Sequence, residues 1–340
     1  AFKSTISKAG HNGIMIKGAK SIEALSNADT FVFDKTGTLT GGELEVIYVE
    51  SYDEKWSEDK LLNLTASTEE HYFHPVAEAV VKAAKQRGFV HMHHEEVEFI
   101  VAHGVKTEVK GKSVIIGSRH FLEDDEKIDF TEHKDKIENS LRDGRTLLYI
   151  AYDGKLLGTI TLADELRHNS KEAISKLKKL GVKNIIMLTG DTKQKAEMIA
   201  NELGIDEVRA ELLPQDKAKI VKELMESGKK VAFVGDGIND APALISAHVG
   251  ISMSRGADIA KATADISLLK DDIMAVVEAK EYANKTMNLI NNNFNATVGI
   301  NSCILAGATF GIFSPIVTAV LHNGTTIGLL FNSIKGVNIK

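Results

Sequence analysis

Short apolar runs alternate with amphipathic, helix-length segments through much of the chain. The pattern predicts strands at 31–33, 160–162, 184–188, 208 and 231–234, with helices at 170–180, 192–203 and 215–226. Such alternation predicts a parallel sheet covered by helices on both faces. Because parallel strands end at one edge, the residues that follow them are expected to meet there and to carry the chemistry.

A different pattern interrupts this alternation after residue 41. Residues 43–49 alternate like a strand, helices are expected at 59–66 and 76–85, and residues 97–121 form strands separated by glycines. Asp153-Gly154 predicts a hairpin turn within 147–157. A chain of 340 residues is expected to form two or three domains, so this region predicts an inserted α+β domain.

Two apolar runs, 294–313 and 316–331, follow a Lys-bearing helix and flank a Ser314-Pro315 break. Each run has the length at the lower end of what spans a bilayer. Glycine pairs four residues apart and flanking lysines favour a membrane hairpin, and the scattered polar residues leave a soluble helical hairpin as the alternative. The lysines are Lys280, Lys285, Lys335 and Lys340, and the glycines are Gly307, Gly311, Gly324 and Gly328.

The composition of the chain excludes several classes of protein. A net charge of −6 gives no nucleic-acid footprint, so no nucleic-acid partner is expected. Cys303 is the single cysteine, which excludes a disulfide framework and a cysteine-built zinc site within the chain. Since the chain opens on Ala1 without a charged and apolar leader, we expect it to be an internal or truncated piece.

Asp34 is the strongest candidate for chemistry. It follows the apolar strand 31–33 and precedes a Thr-Gly-Thr turn, and a carboxylate there can attack the γ-phosphorus of ATP and carry the phosphoryl group. A second acid two residues later would hasten hydrolysis of this intermediate. That position is Thr36, so the phosphorylated state is expected to persist.

Three later segments supply possible partners for Asp34. Thr189, after the strand 184–188, can donate a hydrogen bond to a phosphoryl oxygen, and Asp191 can cap the next helix. Lys217 begins a helix and can neutralise charge on the transferring group. Asp236 and Asp240, on a turn after a strand, can hold Mg²⁺.

In this order, the runs DKTGTLT, HP, TGD, PxDK and GDGIND resemble the P-type cation-transporting ATPases, relatives of the haloacid-dehalogenase phosphotransferases, over almost the entire chain. The resemblance implies an α/β fold: a haloacid-dehalogenase-like doubly wound parallel sheet with an inserted α+β nucleotide-binding domain and a C-terminal transmembrane helical hairpin. The implied boundaries are a cytosolic extension of a preceding membrane helix at 1–21, a split phosphorylation domain at 22–41 and 159–280, the nucleotide-binding domain at 42–158, and two transmembrane helices at 286–340.

The resemblance also implies roles for individual residues. Asp34 is phosphorylated, Asp236 binds Mg²⁺ together with Asp34 and the main chain of Thr36, and Asp240 supports that site. Asp164 and Arg167 match a pattern expected to position the two domains against each other. The implied catalytic residues are Asp34, Lys35, Thr36, Thr189, Gly190, Asp191, Lys217 and Asn239.

For ATP, the resemblance implies that Glu69 contacts adenine and that His74, before Pro75, orients the nucleotide at a helix N-terminus. An ordinary capping segment is the alternative reading of His74. Gly104 and Gly117 are implied to let nucleotide approach the backbone. Two positions depart from the family pattern: Phe73, where Glu is usual, and Ala102, where Gly is usual.

Polar groups in membrane helices are costly and mark pathways, so Asn301, His322 and Asn323 are candidate ligands of a transported ion. Hydrogen bonding between helices is the alternative for Asn301. The chain lacks the Met and Ser pattern of copper pumps, so we expect a divalent first-row metal. The run 91–96 contains three histidines, but neighbours on a strand point to opposite faces, which favours a surface connection over a metal site.

Together these features predict ATP-driven heavy-metal export through an aspartyl phosphate, with ATP and Mg²⁺ as cofactors. The expected partners are the transported transition-metal ion, the lipid bilayer, and the missing N-terminal actuator and membrane portions of the same pump, which lies in the cell membrane with its catalytic domains in the cytoplasm. Without those portions, little transport is expected. A soluble phosphatase of the same superfamily is disfavoured by Thr36, and a non-catalytic nucleotide-binding module by the intact acids and lysine.

Overall fold

The computed structural model describes residues 1–70, 74–100, 104–141, 145–236, 240–254 and 258–337. The chain divides into two compact units, which we call the sheet-edge unit (Ala1–Leu39 with Arg167–Lys340) and the inserted unit (Thr40–Leu166). The strands are β1 (Ile14–Ile16), β2 (Thr30–Asp34), β3 (Thr40–Ser51), β4 (Glu98–Ile100), β5 (Gly104–Val109), β6 (Lys112–Gly117), β7 (Thr146–Tyr152), β8 (Lys155–Leu166), β9 (Asn184–Leu188), β10 (Glu207–Arg209), β11 (Val231–Gly235), β12 (Val249–Ser252) and β13 (Ile266–Leu268).

The helices complete the element order. They are α1 (Phe2–His11), α2 (Ala19–Asn27), α3 (Glu58–Glu69), α4 (Pro75–Gln86), α5 (Lys134–Leu141), α6 (Ser170–Lys179), α7 (Lys193–Leu203), α8 (Pro214–Glu226), α9 (Ala241–Ser246), α10 (Asp258–Thr263), α11 (Met274–Thr309) and α12 (Pro315–Lys335).

The sheet-edge unit is built on a seven-stranded sheet of order β1-β13-β12-β11-β2-β9-β10. All neighbours are parallel except β1, which pairs antiparallel with β13 at one edge. Strand β2 lies in the middle and all five of its residues are buried. Asp34 pairs in register with Leu188, and Phe33 with Val234, so β2, β9 and β11 end at the same edge. The α/β prediction is confirmed.

The inserted unit contains a six-stranded antiparallel sheet of order β3-β8-β7-β6-β5-β4. Residues 160–162 were expected to begin the parallel alternation, and that prediction is wrong. They lie within β8, which pairs antiparallel with β3 and β7. Leu61 and Leu62 of α3 and Val80 of α4 belong to the buried apolar cluster of this sheet.

The C-terminal segment forms the hairpin α11–α12. Ser314 caps α12, because its hydroxyl accepts a hydrogen bond from the Val317 amide at 3.4 Å. A side chain at Gly307 would overlap the Phe313 ring, which packs against the helix backbone at this turn. In the parts of the chain that the structure describes, no helix is both long enough and apolar enough for a membrane crossing.

Lys280 anchors the start of α11 to the sheet-edge unit. Its ammonium donates to the carbonyl oxygens of Leu25, Ser26 and Ala28 at 2.8, 2.9 and 2.9 Å, which satisfies acceptors at the C-terminal end of α2. Burial lowers the pKa of Lys280 to about 8. The sequence pattern had placed this lysine among those that flank the apolar runs on one cytosolic side, and the structure buries it inside the unit.

Candidate active site

Asp34 ends β2 and is buried at the sheet edge. The Lys35 amide donates to Asp34 Oδ1 at 2.8 Å. The chain then turns through Thr36 and Gly37, and Gly37 has a left-handed φ of 72°. A side chain at Gly37 would overlap the Asp236 carboxylate. Glycine is therefore required here for both the backbone angle and the close approach of the acid.

Lys217 lies in the first turn of α8. Asp216 fixes the start of that helix, because its carboxylate accepts a hydrogen bond from the Leu213 amide at 3.0 Å. The Lys217 Nζ lies 2.8 Å from Asp34 Oδ1 and 2.7 Å from Asp240 Oδ1. One ammonium thus bridges two acids that are distant in sequence.

Asp236 and Asp240 complete the group. The Asp236 amide donates to Asp240 Oδ2 at 3.3 Å, and carboxylate oxygens of Asp34, Asp236 and Asp240 lie within 4.8 Å of one another. We call these three acids the aspartate triad. Asn239, predicted to be catalytic, lies outside the described residues.

The electrostatics show a shortage of positive charge. Burial, and then the charge of Asp240, raise the pKa of Asp34 to about 7 in spite of Lys217. Burial and Asp240 also raise the pKa of Asp236 to about 6. Burial alone would lower the pKa of Lys217, but the charges of Asp34 and Asp240 raise it. The raised pKa values show that the three carboxylates are crowded and that Lys217 does not offset all of their negative charge. A bound cation would offset the rest, and Mg²⁺ is a hard cation that prefers oxygen ligands.

A second ion pair lies beside the triad. Thr189, directly after β9, is buried, and its hydroxyl accepts a hydrogen bond from the Asp191 amide at 3.1 Å across Gly190. Asp191 was expected to cap α7, but Thr192 occupies the N-cap position and Asp191 pairs with Lys35 at 2.6 Å. Burial acts to raise the pKa of Asp191, but the pairing with Lys35 outweighs it and holds the pKa below its usual value.

Arg167 contacts the loop after Asp34. Its guanidinium donates to the carbonyl oxygens of Thr38 and Gly37, both at 3.0 Å, and pairs with Asp271 Oδ1 at 2.7 Å. The sequence motif indicated a role between domains and missed this clamp on the loop. Asp271 belongs to no motif that was recognised, and only its place in an acidic pair after β13 marks it.

Asp164 closes the end of the inserted unit. Its two carboxylate oxygens accept hydrogen bonds from the Thr40 hydroxyl at 2.6 Å and the Gly42 amide at 3.0 Å. These contacts tie the first residues of β3 to the end of β8.

Glu69 is a buried candidate nucleotide residue. It ends α3, and burial alone raises its pKa to about 7. It lines a cleft of about 530 Å³ between α3 and α4. The other residues described along this cleft are Glu70, Ala77, Glu78, Val81, Lys82, Lys85 and Gln86.

The remaining candidate nucleotide residues are not among those described along that cleft. His74 caps α4 through its Nδ1, which accepts from the Val76 amide at 3.3 Å, and Pro75 takes the first helical position. The capping contact named as the alternative is therefore present. Gly104 and Gly117 pair across β5 and β6, where a side chain at Gly104 would overlap the backbone of β6. Phe73 and Ala102 lie outside the described residues.

The candidate ion ligands lie on the hairpin. His322 Nδ1 donates to Asn301 Oδ1 at 3.0 Å, so the structure brings these two together across the helices. Asn323 is exposed and makes no side-chain hydrogen bond within the described residues. The interhelical bond is also what the alternative for Asn301 expects.

Comparisons with known proteins agree with this fold. Residues 28–248 match the family model of the haloacid dehalogenase-like hydrolases, and the chain belongs to that family. The homologues of this chain within that family are heavy-metal-exporting P-type ATPases. It is 37% identical, over 98% of its length, to a zinc-exporting P-type ATPase of Mycobacterium marinum, and 36% identical, again over 98%, to a manganese-exporting P-type ATPase of Mycobacterium bovis.

The structural comparison gives the same grouping. The crystal structure of a zinc-transporting PIB-type ATPase in the E2.Pi state matches with a TM-score of 0.88 and 33% identity, and the match covers 98% of this chain and 54% of that one. The present chain covers 46% and 47% of the two curated relatives, so it spans about half the length of the curated relatives it matches. The resemblance to heavy-metal P-type ATPases is confirmed.

Proposed function

We propose that this chain is the catalytic and C-terminal part of an ATP-driven heavy-metal export pump that works through an aspartyl phosphate on Asp34. The contact of Asp34 with Lys217 at 2.8 Å, inside the aspartate triad, carries this proposal. A nucleophile, a cation and two more acids from separate segments converge at one sheet edge, as phosphoryl transfer requires.

The chain's own residues account for the transfer step. An ionised oxygen of Asp34 attacks the γ-phosphorus of ATP, and the bond from that phosphorus to the β–γ bridging oxygen breaks. Its electron pair leaves with ADP, and the phosphoryl group remains on Asp34 as an acyl phosphate. Lys217, already in contact with Asp34, offsets the negative charge of the transferring group.

Mg²⁺ fits the triad and would be held by Asp34, Asp236 and the main chain of Thr36, with Asp240 in support. When bound, it supplies the positive charge that allows an anionic carboxylate and an anionic triphosphate to approach. Thr36 provides no carboxylate that could activate water, so the acyl phosphate persists. This favours a pump over the soluble phosphatase kept as the alternative.

In the inserted unit, we assign ATP binding to the region of Glu69. With a pKa of about 7, its carboxyl group is half protonated near neutral pH and can donate a hydrogen bond to a base. His74 and Pro75 add a helix N-terminus, whose amides favour phosphate groups. Gly104 and Gly117 are kept as residues of this site.

For the part of the hairpin α11–α12 that follows Lys285, we propose a position in the lipid bilayer. Its surface exposes large apolar side chains, among them Phe310 at 81% and Ile316 at 78%. Several of the polar residues that lower its hydropathy form hydrogen bonds within their own helix. The hydroxyls of Thr297, Thr309 and Thr325 donate to backbone carbonyl oxygens one turn earlier. Such internal pairing is what a helix in lipid needs.

The cargo we assign is a divalent first-row metal, with Asn301, His322 and Asn323 as candidate ligands. The relatives named above export zinc and manganese. In this proposal the remaining actuator and membrane portions of the pump complete the pathway, and the catalytic units face the cytoplasm.

The proposal is tested by labelling the chain with ATP that carries a radioactive γ-phosphate. We expect an acid-stable, hydroxylamine-labile label that requires Mg²⁺ and disappears in Asp34→Asn. Glu226→Gln removes an exposed carboxylate at the far end of the helix that carries Lys217, and its label is expected to remain. A label that survives in Asp34→Asn, or no label at all in a folded wild-type chain, would contradict the proposal.

A further inference from the structure

The loop between α4 and β4 holds two histidine rings side by side. The rings of His91 and His94 stack, with centroids 5.3 Å apart and planes 23° apart. The sequence pattern treated this run as strand-like, with neighbouring histidines on opposite faces. The segment is not a strand, so that argument against chelation fails for this pair.

One nitrogen of the pair is buried and has no hydrogen-bond partner in the described parts of the chain. His94 Nδ1 lies 2.7 Å from the backbone oxygen of Glu95, so Nδ1 carries the proton and Nε2 carries a lone pair. That Nε2 is shielded from solvent and makes no hydrogen bond within the described residues. Burying an unpaired acceptor is costly, so a ligand that takes this lone pair stabilises the loop. Fixing one ring nitrogen against a carbonyl is also how proteins orient a histidine that binds metal through the other.

A carboxylate lies next to the stacked rings. Glu70 follows the last residue of α3, and its Oε2 is 4.0 Å from His91 Nε2. Two imidazoles and a carboxylate form a ligand set that zinc and neighbouring metals use. The described residues hold only the aspartate triad as a three-ligand group already drawn within 4.8 Å. The side chain of His91 is 45% exposed, and its ring can turn toward a metal.

The backbone around the two rings is held on both sides. The Met92 amide donates to the Ser67 hydroxyl of α3 at 2.8 Å. The Glu95 amide donates to the Glu108 carbonyl at 2.9 Å, and the Glu95 carbonyl accepts from the Thr107 hydroxyl at 3.0 Å. Because Ser67 and Glu70 belong to the same end of α3, the loop and the carboxylate are positioned together.

We propose that His91, His94 and Glu70 form a second metal site, in the inserted unit, for a divalent first-row transition metal. The metal takes the lone pair of His94 Nε2, draws in His91 and binds the Glu70 carboxylate. The bound metal thereby holds Glu70, the residue next to Glu69 on the cleft. Because the cleft is the proposed nucleotide site, metal binding here would regulate nucleotide binding. Metal binding itself does not depend on the function proposed above.

The test is calorimetric titration of the full chain with Zn²⁺ in a large excess of Mg²⁺, which keeps the aspartate triad occupied. We expect His94→Ala to weaken one zinc site by about tenfold or more, and Glu70→Gln to weaken the same site with little change in shape. His93→Ala is the matched control, because His93 is exposed and makes no ring contact or hydrogen bond within the described residues.

Two results would overturn the proposal: zinc affinity and stoichiometry unchanged in both His94→Ala and Glu70→Gln, or an equal loss in His93→Ala. Thermal unfolding of each variant, followed by circular dichroism, shows that it is folded. If His94→Ala fails to fold, Glu70→Gln decides the question alone, because this change removes a charge and leaves the loop intact. Labelling of Asp34 is a separate readout, so failure of one proposal is distinguishable from failure of the other.

Discussion

Asp34 and Glu69 are both buried carboxyl groups with a pKa of about 7, yet the causes differ. At the sheet edge, burial acts together with the charge of Asp240, and Lys217 opposes them. In the inserted unit, burial is the one cause that raises the pKa of Glu69. The comparison teaches that equal pKa values can respond to different changes. Both groups should respond to protons, but only Asp34 should also respond strongly to cations and to changes in neighbouring charges.

The largest expected effect comes from Lys217→Ala. This change removes the ammonium that contacts both Asp34 and Asp240, and so leaves two buried acids uncompensated. We expect the rate of phosphoenzyme formation, measured by rapid quench, to fall by about 100- to 1000-fold. Lys219→Ala is the control in the same helix, since Lys219 is on the exposed face and, among the described residues, pairs with Glu223 alone, at 4.0 Å. Equal rates in both variants would contradict the role of Lys217.

The next effect is on stability. A carboxyl group whose pKa is raised in the folded state binds its proton more tightly there than in the unfolded chain, so ionising it destabilises the fold. For Asp34 this cost is absent below about pH 4, grows towards pH 7 and is complete above it. Without Mg²⁺, we expect Asp34→Asn to raise the free energy of unfolding at pH 8 by on the order of 1–3 kcal/mol.

Chemical denaturation from pH 5 to pH 8 checks this expectation. The advantage of Asp34→Asn should shrink as the pH falls, and saturating Mg²⁺ should reduce it at pH 8. Glu226→Gln, at an exposed position in α8, serves as the control for removing a charge. A variant that is less stable than the wild type at pH 8 without Mg²⁺ would show that Asp34 is not under electrostatic stress.

A smaller effect is expected from Arg167→Ala, which removes the clamp on the loop after Asp34. The loop loses two hydrogen bonds from a charged donor to its carbonyl oxygens. We expect about a tenfold fall in the rate of phosphoenzyme formation. Arg209→Ala is the control, because Arg209 is exposed and pairs with Glu207 two residues away. A loss of nucleotide affinity with an unchanged phosphorylation rate would restore the role between domains.

The smallest effect should appear in the inserted unit. As Glu69 ionises through pH 7, its negative charge comes to oppose the binding of an anionic nucleotide. We expect the Kd for ATP to rise several-fold from pH 6 to pH 8 in the wild type. A change of that size corresponds to the Coulomb energy of a partly screened charge. In Glu69→Gln, this component of the pH dependence should disappear.

Fluorescent-nucleotide titration at each pH measures this Kd. Glu58→Gln, at the exposed start of the same helix, should keep the wild-type profile. Identical profiles for Glu69→Gln and the wild type would remove Glu69 from the nucleotide site.

The residues at the sheet edge could be predicted from the sequence because short local patterns determine where they lie. Apolar strands predict where the chain is buried, and parallel strands end together, so Asp34, Thr189 and Asp236 were expected to meet. Lys217 joins them because a proline at the first position of α8 fixes where that helix begins.

Other features had no such local signal. Arg167 clamps backbone carbonyls, which every residue carries, so its partners leave no mark in the sequence. Residues 160–162 form a short apolar run that fits either sheet, and their antiparallel pairing with β3 and β7 decides the matter. Asp191 satisfies the rule for a helix cap, but the buried Lys35 ammonium is the stronger partner.

The most direct test of the central claim is chemical mapping of the phosphorylated residue. Borohydride reduces an aspartyl phosphate to homoserine, and tandem mass spectrometry locates that change in the peptide containing residues 31–40. We predict homoserine at position 34 after incubation with ATP and Mg²⁺, and aspartate there when either is omitted. Homoserine at another aspartate, with position 34 unmodified, would contradict the account.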